Sequence, residues 1–263
     1  MKNILQRNNV KITGEGHETL LFAHGFGCDQ NSWRHITSAF SLHYKLILFD
    51  FIGAGQSDFS GYNKTRYNNL EGYSEDIFEI CNQLKIKDAI FIGHSVSCMI
   101  GALAAIKYPS VFKKLIFIGP SPHYLNDNGY VGGFEKEDIE TLLELMEDNY
   151  ISWAKSMAPA IMGNPQQPAL GKELTDNFCS TDPEIAKAFA RVTFLSDNRK
   201  DLPKIPVESL TLQCSDDILA PLEVGYYIKQ NTPDNKLVIL KATGHCPHMS
   251  APEETINAIR SFI

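Results

Sequence analysis

Six short apolar runs punctuate the chain, at residues 20–23, 46–49, 89–92, 115–118, 209–212 and 237–240. Each is almost continuously apolar and bounded by turn residues. That pattern predicts strands buried on both faces of a parallel sheet. The stretches between them carry helical spacing instead. From 70 to 84, Tyr73, Ile77, Ile80 and Leu84 recur at intervals of four, three and four, which places them on one helical face. Residues 96–107 are small and apolar almost all round, as a helix buried under a sheet requires. That helix must stop before Pro109, because proline disfavours helix at the residue preceding it. Strands alternating with helices predict an α/β fold with a mostly parallel, doubly wound sheet.

The alternation stops between 121 and 206. There the pattern is helical without convincing strands, over 135–146, 150–161, 170–178 and 184–195. The stretch opens on "GPSPHY" and closes on "DLPKIP", and a strand pattern resumes at Val207. The organisation predicted is a core of 1–120 and 207–263, with 121–206 inserted as a four-helix cap over the sheet edge.

The chemistry starts at "GHSVS", residues 93–97. A strand precedes Ser95 and a helix follows it, the setting in which a G-x-S-x-G turn exposes a nucleophilic serine. Ser97 replaces the second glycine and is small enough for the sharp turn. The competing reading is a serine that only caps the helix. A nucleophile needs a base and a group that orients the base, in the chain order serine, acid, histidine. His245, in "KATGHCPH", follows the last strand by a short loop and so lies at the same sheet edge as Ser95. His248 is its rival, and His123 is expected to face solvent at the entrance of the cap. A metal site at His245, Cys246 and His248 lacks the further ligands to complete it. The acid belongs after the strand at 209–212, where "QCSDDILAP" offers Asp216 and Asp217. Adjacent residues cannot both face one imidazole, and Asp217 has the better position. Oxyanion donors are expected from the amide of Val96 and from that of Phe26 in the loop "HGFGCDQ". His24 reads as a structural residue of that loop. "DFIGAGQSD" is Gly-rich but lacks the spacing of a dinucleotide or Walker motif, so it reads as a loop at the sheet edge.

Taken together, "HGFGCDQNSW", "FDFIGAGQSD", "GHSVSCMIG", "SPHYLNDNGYVGGFE" and "TGHCPHMSAP" resemble the α/β-hydrolase subgroup that holds the bacterial stress protein RsbQ and the plant receptors for karrikins and strigolactones. "FCSTDPEIAKAFARVTFLSDNRKDL" leans toward the RsbQ side. The resemblance runs nearly end to end, and serine in place of the second glycine is typical of the subgroup. It implies a triad of Ser95, Asp217 and His245 with oxyanion donors at Phe26 and Val96. It also implies a small apolar pocket under the cap, lined by Tyr124, Phe134, Phe194 and Leu219, with Trp153 and Met157 as further candidates. Several plant relatives carry Phe where this chain has Met157. The implied activity is serine hydrolysis of a small hydrophobic ester or lactone without a cofactor. The implied setting is stress signalling, with a PAS-domain phosphatase as partner that activates a sigma factor. A ligand-sensing module without turnover and a housekeeping carboxylesterase fit the same residues.

Bulk composition narrows the classes. Of 263 residues, 43% are hydrophobic and 21% charged, which is ordinary globular usage. With 24 Lys and Arg against 31 Asp and Glu, the net charge is −7. No basic footprint suggests a nucleic-acid or membrane-surface partner. No run approaches a membrane span, and the start "MKNILQRNNVKI" lacks the apolar core of a signal peptide. The six cysteines are scattered without a CxxC pair, so a reduced, cytoplasmic chain is expected.

Overall fold

The computed structural model describes residues 3–263. Seven strands form one sheet: β1 Lys11–Thr13, β2 Glu18–Ala23, β3 Tyr44–Phe49, β4 Ala89–His94, β5 Phe112–Ile118, β6 Ser209–Asp216 and β7 Asn235–Thr243. Their order is β1-β3-β2-β4-β5-β6-β7. Every neighbouring pair is parallel except β1 with β3. All six apolar runs fall within β2 to β7. The strand that the hydrophobic pattern does not predict is β1. Its three residues are exposed at the sheet edge, so it has no buried face to mark it.

Period-2 alternation sends each strand's side chains into two separate cores. Leu21, Ala23, Ile47, Phe49, Phe91 and Leu115 pack on one face, and Leu20, Phe22, Leu46, Ile90, Ile92 and Ile116 on the other. Short helices α1 Ile4–Arg7 and α2 Arg34–Thr37 flank the first strands. Helices α3 Leu70–Gln83 and α4 Val96–Lys107 cover the first face. In α3 the Asn69 side chain accepts the Glu71 amide at 3.0 Å, satisfying one orphan donor of the first turn. Tyr73, Ile77 and Ile80 are fully buried.

The insertion between β5 and β6 carries α5 Lys136–Met162, α6 Pro168–Ser180 and α7 Pro183–Phe194. Helix α5 is really two helical stretches, broken at Asn149, which leaves helical geometry with φ −157° and ψ 88°. The Asn149 carboxamide accepts the Ser152 amide at 2.9 Å and so caps the second stretch. Counting both halves, the inserted cap has four helical segments. After β6 come α8 Leu222–Asn231, α9 Pro247–Ser250 and α10 Pro252–Arg260. No helix of the described residues is long and apolar enough to cross a membrane, and all six cysteines are free.

The cap rests on the core at points where side chains are missing. Gly53, after β3, has φ +88°, and a Cβ there would lie 2.2 Å from Cγ2 of Ile185 on α7. Cap and core therefore meet backbone against side chain, with no room for a methyl group. Gly53→Ala should cost about 1–3 kcal/mol in urea denaturation. Combined with Ile185→Ala, it should cost less than the sum of the two single changes. A Gly53→Ala protein with the wild-type midpoint would show that α7 is not seated on this loop.

Candidate active site

Ser95 joins β4 to α4 with φ 57° and ψ −128°, a conformation costly for any residue with a side chain. The helix it introduces receives no side-chain cap from it, so the capping reading of Ser95 fails. Its amide donates to the Ile118 carbonyl at 2.8 Å, tying the turn to the end of β5. The loop after β2 presses against the turn from the other side. A Cβ on Gly25 would lie 2.6 Å from Nδ1 of His94 and 3.1 Å from Cβ of Ser95. Ser97 does more than save space, because its hydroxyl donates to the His24 carbonyl and links α4 to that loop. His24 bonds Gly25 O through Nδ1 at 2.9 Å and accepts the Phe51 amide on Nε2 at 3.0 Å. It thereby joins the loops after β2 and β3.

Three side chains meet at this edge. Ser95 Oγ lies 2.8 Å from His245 Nε2, and His245 Nδ1 lies 2.7 Å from Asp217 Oδ2. A carboxylate only accepts, so Nδ1 carries the proton and Nε2 is left bare to accept from the Ser95 hydroxyl. Asp217 Oδ1 takes the amides of Leu219 and Ala220 at 2.9 and 3.3 Å. The three residues are only 5%, 6% and 3% exposed for Ser95, Asp217 and His245. Asp216 points to solvent instead.

The His245 main chain is held from two directions. Its amide donates to Ile161 O, near the end of α5, at 2.9 Å. Its carbonyl accepts Nε2–H of His94, the residue before the serine, at 2.8 Å. Burial and the neighbouring His245 push the His94 pKa down to about 3, so that imidazole stays neutral. His248, fully buried on α9, has its ring centroid 4.5 Å from those of both Trp33 and His94. Neither of its ring nitrogens has a hydrogen-bond partner. Burial holds its pKa well below the ordinary histidine range. His123 is likewise buried, with Nδ1 on Ser196 O at 2.8 Å, rather than facing solvent.

Ser95 and His245 line a narrow, mostly apolar cavity under the cap helices. Of the expected lining residues, Tyr124, Trp153, Phe194 and Leu219 are there, and the Phe26 side chain joins them. Phe134 and Met157 are not. Phe134 packs at the margin of the apolar cluster around the cavity without lining it, in a loop where its amide bonds Tyr124 O and its carbonyl accepts the Asn126 amide. Met157 sits at the edge of the α5 stripe whose buried residues are Trp153, Ala154, Ala158 and Ile161. The residues missed are Cys28, His94, Ile161, Leu174, Phe178, Thr193 and Cys246. Ile161, Leu174 and Phe178 were legible as apolar helix positions, but nothing in their spacing separates pocket wall from core. Burial raises the thiol pKa of both Cys28 and Cys246, so these groups act as apolar wall.

A family model described as alpha/beta hydrolase fold matches residues 18–157. The Karrikin insensitive 2 receptor CA of Petunia hybrida is 37% identical over 259 residues, 98% of this chain and 96% of that protein. A strigolactone esterase of Arabidopsis thaliana is also 37% identical, over 98% of this chain and 97% of its own. Among solved structures, a hydrolase from Oleispira antarctica superposes with a TM-score of 0.97 at 42% identity, covering 99% of this chain and 96% of that one.

The buried histidines make acid stability measurable. His94 and His248 refuse protons in the folded chain that they accept once unfolded, near pH 6.5. Their stabilisation is complete above that pH and is lost as pH falls below it, at about 1.4 kcal/mol per pH unit for each withheld proton. Urea midpoints between pH 7 and 4.5 should fall accordingly, and His248→Phe should flatten the slope by about one proton. An unchanged slope would count against the assignment.

Proposed function

Because the chain belongs to the alpha/beta hydrolase family, we propose that it is a serine hydrolase of small hydrophobic esters or lactones. The observation that carries this reading is the single imidazole placed 2.8 Å from a hydroxyl and 2.7 Å from a carboxylate. His245 Nε2 takes the proton of Ser95 as Oγ attacks the carbonyl carbon. Asp217, held by two amides, keeps the imidazole in the productive tautomer and stabilises the imidazolium. The amides of Phe26 and Val96 receive the oxyanion. Val96 opens α4 and has no carbonyl to bond within its helix, and Phe26 follows the glycine pressed against Ser95. The imidazolium then protonates the leaving alkoxide. A water, deprotonated by the same nitrogen, cleaves the acyl-enzyme and restores Ser95.

The substrate class follows from the cavity. Aromatic and aliphatic side chains make most of its narrow wall, which suits a small apolar ligand rather than a polymer. The esterase and receptor names of the two plant relatives support an ester or lactone whose turnover serves signalling. We assign the signalling role to stress regulation with a PAS-domain phosphatase that activates a sigma factor, on the strength of the motif in residues 178–202. The free thiols favour a reducing, cytoplasmic setting.

Ser95→Ala should lower kcat for p-nitrophenyl acetate by at least about 10⁴-fold. A fluorophosphonate probe should add its mass to Ser95 and to no other serine. Wild-type turnover by the alanine variant, or labelling elsewhere, would end the reading.

A further inference from the structure

Two residues lining the apolar cavity carry a buried polar atom without a hydrogen-bond partner: His94, whose Nδ1 lies against the Gly25 backbone, and Thr193. Thr193 is 1% exposed, and the atom without a partner is its Oγ1. A threonine inside a helix usually bonds the carbonyl four residues back, here Phe189, and this one does not. Its place on α7 accounts for its direction. Ala186, Ala190 and Thr193 recur at intervals of four and three, so they share the buried stripe of that helix. Ala186 and Ala190 on that stripe belong to the core that surrounds the cavity. Leaving a buried hydroxyl unpaired is costly, and such a group calls for an explanation. Valine has the same shape and would fill the position without that cost.

Resting on the serine-hydrolase reading, we propose that Thr193 is a specificity-determining residue. Its hydroxyl donates to an acceptor oxygen that the substrate carries in addition to its scissile carbonyl. The preferred substrate is then a small, mostly apolar ester or lactone bearing a second oxygen function, an ether or a further carbonyl, directed at α7. The purely hydrocarbon acyl ester fits the walls equally well but leaves Thr193 unpaired in the complex. Discrimination of this kind comes from the buried polar group rather than from pocket volume.

The test compares wild type with Thr193→Val on p-nitrophenyl pentanoate and on its isosteres in which one chain methylene at a time is replaced by an ether oxygen. The readout is the ratio of kcat/KM for each isostere to that for the pentanoate in the same protein. At least one isostere should lose roughly 3- to 10-fold, the worth of one neutral hydrogen bond. Thr193→Ser, which keeps the hydroxyl, should recover most of that loss. The ligand-free valine variant should be at least as stable to urea as wild type, because it removes an unpaired group. Equal loss across the whole panel overturns the proposal. So does a valine variant that is destabilised or fails to fold, since that would show the hydroxyl engaged by the protein itself. Ser95→Ala run on the same panel separates the two levels. If it still turns over, the hydrolase reading fails; if it is dead while the valine variant shows no selectivity, only the role of Thr193 fails.

Discussion

A neutral imidazole has one N–H to give, and in this fold the Asp217 carboxylate claims it. Everything at the sheet edge follows from that allocation. With Nδ1 committed at 2.7 Å, Nε2 has a lone pair to offer Ser95, and the hydroxyl can only donate. The arrangement is stable because it is dry. Water reaching the Asp217–His245 pair would weaken the charge-assisted bond and free the ring to rotate. The three residues are nearly inaccessible, and the cap helices with the aromatic cluster of Phe26, Trp153 and Phe178 supply the cover.

Holding three distant segments in one geometry needs more than side-chain bonds. The strained backbone at Ser95 persists because Ile118, Gly25 and Ser97 each fix a different side of the turn. The loops after β2 and β3 are joined by His24 and organised by the buried Asp50. That carboxylate accepts the amides of Gln30 and Gln56, both at 2.9 Å, and the Asn9 side chain at 2.7 Å. The Gly-rich stretch after β3 is therefore a scaffold of backbone donors around one carboxylate. It supports the floor of the cap and holds no phosphate motif.

Much of this was legible in the residues and some was not. The strands from β2 to β6 announce themselves because both faces of the sheet are covered, so each run is apolar without alternation; β7, at the far edge, shows an apolar run although Val238 and Ile239 are exposed. β1 stays silent because it is short and exposed. Ser95, Asp217 and His245 can be picked out because each follows a strand at the same edge, a matter of chain order and turn residues. The cavity wall is another matter. Trp153 and Met157 are one helical turn apart on α5 and chemically alike as pocket candidates. A rotation of the helix sets one inside and the other at the margin, and that rotation depends on packing against α6 and α7. The same limit hides His94 and His248, whose partners are a main-chain carbonyl and two other rings rather than any residue nearby in the chain.

The bond from the His245 amide to Ile161 joins the segment that carries this imidazole to the roof above it. Asn164, just past α5, adds a second fastening by donating to both Met162 O and Thr243 O, at 2.7 and 2.9 Å. A guest bulky enough to raise that end of the roof would tug on the very segment that carries the imidazole. Ile161 also lines the cavity, so the main chain that carries the imidazole is fastened to a residue that forms part of the cavity wall.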